Sequence, residues 1–177
     1  MINLVAFQEL ASDRIVLRRL KKSDKKRVQF LRSDPTVNQF IKRPKTNTEK
    51  KALEFIGMIE DGTKTAKHYY WVISLKTDPK MIGSISLWNF SDDRQFAEVG
   101  YDLHPEFQGQ GLMTETLKLV LEFGFERLKL KSLEAYTQND NRPSRKMLLN
   151  NGFALVEGKT DPSNSENLIY QIKNKLN

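Results

Sequence analysis

The chain contains no cysteine and only two histidines among its 177 residues. The first absence excludes disulfides, thiol nucleophiles and cysteine-ligated zinc. The second leaves His68 and His104 far apart, at no spacing that suits a metal, so no metal is expected. No apolar run reaches the roughly eighteen residues that a membrane helix needs. The opening MINLVAFQEL lacks a basic start followed by a long apolar stretch, so a secretory signal is not expected and a cytoplasmic location is the default. Repeats and low-complexity segments are also missing. Apolar residues make up 38% and charged residues 29% of the chain. That is polar for a globular protein but too apolar for a disordered one. One domain spanning residues 1–177 is the simplest organisation. The formal charge of +7 suits polyanionic partners, either nucleic acid or a small ligand with phosphates. A solvated lysine-rich face is the plain alternative. The densest basic run, Arg18–Arg27, is broken by Ser23 and Asp24 and reads as a strand end leading into a helix.

Hydrophobic periodicity supplies the elements. Arg14–Leu20 alternates as a first strand. A short helix follows, with Ser23 or Asp24 as its cap and Pro35 after its end. A second helix begins with Thr46 and Glu49 at capping-box spacing and stops at Asp61-Gly62. Tyr69–Leu75 and Met81–Trp88 form an antiparallel hairpin around Asp78-Pro79. In Gln95–Leu103, Ala97, Val99, Tyr101 and Leu103 face one way, and Glu98, Gly100 and Asp102 the other. A helix is expected from Leu112 to Leu128, a strand over Ser132–Gln138, and a helix from Asn141 that closes at Gly152. Two terminal strands then pair. The order β-α-α-β-β-β-α-β-α-β-β predicts an α+β fold: a mixed, mostly antiparallel sheet with helices on both faces.

The stretch HPEFQGQGLMTETLKLVLEFGFERL places Gly109 and Gly111 at the mouth of a helix. The first amides of a helix lack intrahelical partners, and the macrodipole adds positive charge there. Bare backbone at that point suits a pyrophosphate. The alternative is a tight turn that uses glycine only for its dihedrals. The motif G-x-x-x-x-G-K-[ST] is absent. G-x-G-x-x-G fails because Thr114 stands where the third glycine belongs, although Glu134 lies about twenty residues on, as a dinucleotide fold would want.

Gln108-Gly109-Gln110-Gly111-Leu112-Met113 resembles the Q/R-x-x-G-x-G/A signature of the GNAT superfamily of acyl-coenzyme A N-acyltransferases. Asn141-Arg142-Pro143-Ser144, followed by Asn151-Gly152-Phe153, resembles its N-x-x-S…G-F segment. AEVGYDLHPEFQGQGLMTE is similar to the branch containing the ribosomal-protein N-terminal acetyltransferases, and the resemblance covers nearly the whole chain. It implies a GNAT-like sheet that splays between Gln95–Leu103 and Ser132–Gln138, with acetyl-CoA as cosubstrate. Gln108, Gly109, Gln110, Gly111, Leu112, Met113 and Thr114 would then hold the pyrophosphate, chiefly by backbone. Met113 departs from the usual Gly or Ala. The backbone of Leu103 would face the pantetheine arm and polarise the thioester carbonyl. Asn141 would bind the arm, cap its helix, or do both. Arg145 would meet a phosphate or stay solvated. Many members use a tyrosine as general acid seven residues after the asparagine. Leu148 stands there, which leaves Ser144, a water or no group at all; Tyr136 and Tyr101 are alternatives, Tyr101 reading more readily as core.

Acyl transfer to an amine needs a lone pair. A lysine ammonium with pKa about 10.4 costs roughly 4–5 kcal/mol to deprotonate at pH 7, whereas an α-amine near pKa 8 costs about 1.4 kcal/mol. Glu98 is the candidate base, with an exposed strand glutamate paired to a lysine as the alternative. Asp92, Asp93, Glu98, Asp102 and Glu106 concentrate acid in a basic chain and suggest a cleft for a cationic amine. Chance clustering in turns is the alternative. Trp88, Asn89 and Phe90 are placed to line that pocket, with core burial the alternative for Trp88. The resulting expectation is direct acetyl transfer to a primary amine, a protein N-terminus being favoured and a polyamine or small amine left open. Ribosome association and either a monomer or a homodimer are left open too. A non-catalytic coenzyme A binder and a basic RNA- or ribosome-binding module are the competing classes.

Overall fold

A central strand covered on both sides should read as a nearly unbroken apolar run, and YYWVISL does. In the computed structural model, which describes residues 5–175, this run is β3 (Tyr69–Leu75). Its odd residues Tyr69, Trp71 and Ile73 enter one core, and Tyr70 and Val72 enter a second. The first four and last two residues, which the domain and N-terminal readings include, lie outside the described residues.

Among the described residues the sheet has eight strands. Before β3 come β1 (Leu10–Ala11) and β2 (Ile15–Arg18); after it come β4 (Asp78–Trp88), β5 (Phe96–Leu103), β6 (Ser132–Gln138), β7 (Ala154–Leu155) and β8 (Asn167–Lys173). They lie in the order β1-β2-β3-β4-β5-β6-β8-β7. Every neighbouring pair is antiparallel except β5 and β6. Helices α1 (Lys25–Ser33) and α2 (Glu49–Lys64) send Val28, Leu31, Ala52, Ile56 and Ile59 into the smaller core. Helices α3 (Leu112–Glu122) and α4 (Arg142–Asn150) send Leu112, Leu117, Val120, Leu121 and Leu148 into the larger one, on the opposite face. This is the expected single α+β architecture with helices on both faces.

The expected splay is present as well. β5 and β6 pair only where Phe96–Val99 meets Ser132–Ala135. Beyond that, Gly100–Leu103 bonds to β4 alone and Tyr136–Gln138 to β8 alone. A wedge therefore opens between two central strands, and unpaired backbone lines it.

Several local readings need correction. The cap of α2 is Thr48, whose hydroxyl accepts from the Lys51 amide at 3.2 Å. Thr46 is buried instead and accepts from Arg32 Nε at 3.1 Å, so its box with Glu49 does not form. Asp61-Gly62 does not stop α2. The His68 ring packs where a Cβ on Gly62 would lie, 2.0 Å from its Cε1, so the glycine serves close approach inside the helix. The hairpin turns before Asp78, because Asp78 already pairs with Leu75 after a register shift. The expected Leu112–Leu128 helix is α-helical only to Glu122 and ends in a π turn over Phe123–Arg127. There Gly124 fits tightly, since an added Cβ would lie 3.2 Å from Leu133 Cδ1. The first strand is shorter than its pattern suggests, and β1, too short to carry a period, pairs beside it.

Candidate active site

At the end of β5, His104 donates its amide to Ile82 O at 2.8 Å. Amides along a strand alternate in direction, so those of Tyr101 and Leu103 point away from β4, into the splay. His104 then closes a short turn with Pro105, its Nδ1 accepting from the Glu106 amide at 3.3 Å. The Gln108 amide is already engaged by Pro105 O at 3.1 Å, and its side chain holds Leu103 O at 3.0 Å. Free backbone therefore starts one residue later. Among the described residues, the amides of Gly109, Gln110, Gly111, Leu112, Met113 and Thr114 have no hydrogen-bond partner. Gly109 and Gly111 stand at φ 72° and 77°, and a Cβ on Gly109 would meet nothing within 4 Å. Left-handed backbone at the two glycines carries an exposed loop into the first turn of the helix. Arg14 fastens the loop from β2's side: NH1 donates to Gln110 O at 3.1 Å, and the guanidinium pairs with Glu115 of α3 at 2.6 Å.

Across the splay, Asn141 caps α4, its Oδ1 accepting from the Ser144 amide at 3.2 Å. That cap points the Ser144 hydroxyl at Tyr101, with 2.7 Å between the two oxygens. Burial pushes the Tyr101 phenol up to about 12, so it stays protonated at neutral pH. Tyr101 packs against the larger core, as its alternation suggests, but its hydroxyl reaches α4. Leu148 is fully buried apolar filling. Arg145 is committed within the fold, donating to Tyr170 Oη at 3.0 Å and to Asn139 O at 2.9 Å.

On the other face of the sheet lies an open cleft of 430 Å³, lined among others by Asn89, Phe96, Glu98, Glu134, Tyr136 and Lys159. Glu98 and Glu134 stand in register on the parallel pair. Burial is the main cause that raises the Glu98 carboxyl above its usual range. Glu134 and Asp161 push the same way, while a hydrogen bond from Asn89 opposes them. Asn89 is the one donor to Glu98 among the described residues. Glu134 is held by Lys159 Nζ at 2.7 and 2.6 Å, Tyr136 Oη at 3.0 Å and Gln171 Nε2 at 3.2 Å.

The acidic cleft is thus not the cluster read from sequence. Asp102 is buried, paired with Arg43 at 2.8 Å and bonded by Ser84 at 2.7 Å. Asp92 and Asp93 sit in an exposed turn, and Glu106 is 78% exposed beside His104. Only Glu98 of the five lines the cleft; its companions come from β6 and the β7–β8 loop. Trp88 is not core but half exposed, opposite Glu98 in the β4–β5 register.

The family profile described as "Acetyltransferase (GNAT) domain" matches residues 14–154. The chain belongs to the GNAT acetyltransferase family. This acetyltransferase is 30% identical over 163 residues to the acetyltransferase PseH of Campylobacter jejuni (serotype O:23/36), covering 91% of this chain and 90% of the relative. Its fold is similar to a ribosomal-protein-S5-alanine acetyltransferase from Vibrio fischeri, with TM-score 0.81, 20% identity, and coverage of 95% and 97%. It is similar too to the ribosomal α-N-protein acetyltransferase RimL solved with coenzyme A, with TM-score 0.81, 17% identity, and coverage of 94% and 98%. The competing readings as a non-catalytic binder or an RNA module give way to the enzyme. Among the described residues of the GNAT chain, no helix is long and apolar enough to cross a membrane, and no group of three His, Asp or Glu could hold a metal ion.

Sequence reasoning missed Glu134 as a cleft residue and Lys159 altogether. Neither has a local signal. Glu134 reaches Glu98 through a parallel pairing of distant segments, and Lys159 through the path of a loop.

Proposed function

We propose that this GNAT enzyme transfers an acetyl group from acetyl-CoA to a primary amine, a protein N-terminus being the favoured acceptor. The observation that carries the reading is six consecutive unpartnered amides, Gly109–Thr114, at the mouth of α3 and next to the splay. The first amides of a helix have no partner within it, the exposed glycine loop extends that row by three residues, and a helix mouth adds the charge that a pyrophosphate needs. Those amides would hold the diphosphate, with Arg14 fixing the loop. The Leu103 amide would face the pantetheine arm in the splay, and Asn141 would set the far wall. Acetyl-CoA supplies an activated acyl group; the protein supplies position and proton traffic.

The alternation of β5 divides that traffic. Glu98 faces the acidic cleft, whereas Tyr101 faces the larger core and Ser144. The incoming ammonium gives its proton to Glu98, directly or through water, on one face of the sheet. As the tetrahedral intermediate collapses, its C–S bond breaks and the departing sulfur takes a proton from the Ser144–Tyr101 pair on the other face; the second proton of the attacking nitrogen, released as the amide forms, restores that pair, so neither hydroxyl is left as an anion. Among the described residues Glu98 has an oxygen with no donor, while Glu134 is engaged by three side chains. The proton therefore goes to Glu98. An N-terminal acceptor is favoured because its lower pKa makes the neutral amine cheaper than lysine's, and because structural neighbours carry ribosomal-protein names.

The test is free-thiol release from acetyl-CoA against a panel of N-terminal peptides, lysine peptides and small amines, together with calorimetric binding of acetyl-CoA. Binding with turnover that is fastest on an N-terminal amine is expected. No heat of binding would end the reading.

A further inference from the structure

We propose that Lys159 is an internal competitor for the acceptor's ammonium, and that Glu134 is the carboxylate for which they compete. The inference rests on the transferase reading for the role of the cleft. Its own content is the identity of the ammonium subsite.

Glu98 and Glu134 stand abreast on adjacent strands. Two carboxylates side by side repel unless a cation joins them. Lys159 offsets that charge from one side, its Nζ bonded to both oxygens of Glu134 and, among the described residues, to neither of Glu98. A lysine side chain ends as butylammonium, an unbranched primary alkylammonium. The fold therefore already seats, in the acceptor cleft, the class of group that an amine acceptor presents.

The two partners are not held equally. Glu134 is 16% exposed and is braced by Tyr136 and Gln171 as well. Lys159 is 44% exposed, and among the described residues its ammonium touches Glu134 alone. Its loop is anchored further along. Buried Asp161 accepts from Ser163 Oγ at 2.6 Å and Asn167 Nδ2 at 2.7 Å, and buried Asn164 accepts from Lys42 Nζ at 3.1 Å. The loop backbone can stay in place while the lysine side chain swings out. The anion is fixed and its cation is replaceable. An arriving primary ammonium takes the place of Lys159 on Glu134, beside the open oxygen of Glu98. The acetylated product is neutral, has no claim on Glu134, and yields the seat back to Lys159.

The test uses n-butylamine as probe, titrated by calorimetry into the full chain without acetyl-CoA. Lys159→Met removes the ammonium and keeps the stem. It should bind butylamine roughly two- to five-fold more tightly than wild type, the range a partly exposed ion pair commands. Glu134→Gln should weaken binding, and the gain from Lys159→Met should vanish in the Glu134→Gln background. Melting curves check that each variant folds, and Lys159→Gln serves if the methionine variant does not. Unchanged or weaker binding in the Lys159 variant, or a gain that survives in the double variant, overturns the proposal. Thiol release with the same amine is measured separately. Tighter binding without turnover would sink the transferase reading and leave this one standing; turnover with no effect of Lys159 would do the reverse.

Discussion

A carboxylate that must take a proton at neutral pH serves best when its own proton affinity is raised. Burial does this at Glu98, and the charges of Glu134 and Asp161 add to it. Replacing it by glutamine should lower kcat by about 10²–10⁴-fold, the usual worth of a positioned base, while calorimetry finds acetyl-CoA affinity unchanged. The pH profile of kcat/KM should rise through a limb above the ordinary glutamate range. Asn89→Ala removes the hydrogen bond that favours the carboxylate, so that limb should move to still higher pH. The linkage has a definite sign. Because the folded pKa is raised, the native state holds its proton longer than the unfolded chain does, and stability falls as pH rises through the folded pKa. Wild type should therefore lose melting temperature relative to Glu98→Gln as pH rises from about 4, near the unfolded value, through the raised folded pKa. Glu98 was legible in sequence as facing away from the larger core because strand alternation is local: every second residue of β5 turns to the opposite face of the sheet. The anchoring of Glu134 by Lys159 was not, since it depends on which distant strand lies alongside.

Among elements, the loop into α3 separates two uses of glycine. Gly109 has a left-handed φ and open space where a Cβ would sit. Gly109→Ala therefore meets no clash in the free protein and should lose only about 1–2 kcal/mol from its backbone conformation, read as a modest fall in melting temperature. If the amides grip a diphosphate, the Gly109→Ala, Gly111→Ala double variant should also lose acetyl-CoA affinity well beyond that fall. A melting shift with unchanged affinity would leave the glycines as turn formers only. Motif, strand and helix start were readable here because each rests on residues within one turn of the next. Element ends were less so. Thr46 and Thr48 both offer a capping oxygen, and tertiary contact with Arg32 decides between them. Gly62 signals a stop, yet packing against His68 carries α2 through it. The π turn after Glu122 follows the fit of Gly124 against Leu133 and Leu130, neighbours that periodicity does not reveal.

For the whole molecule, the sheet acts as a partition with one opening. Its two cores hold separate helices, and the splay between β5 and β6 is where unpaired backbone joins the two sides. In the proposed mechanism a base on one face and a proton donor on the other serve the same bond change without competing for the same proton. With no cysteine in the chain, transfer should be direct, and initial-velocity plots should intersect rather than run parallel. The donor side is open to a sharper test. Ser144 and Tyr101 share one hydrogen bond, and a thiol of pKa near 8.5 leaves with little help. Ser144→Ala and Tyr101→Phe should each lower kcat by about ten-fold or less, below the usual range of proton-transfer effects. If they form one relay, the double variant should be little worse than either single. Glu98→Gln, working across the sheet, should multiply with each of them. Kinetics in which the Ser144 and Tyr101 losses multiply would show the two hydroxyls acting independently and would rule out a single relay on the face opposite the acidic cleft.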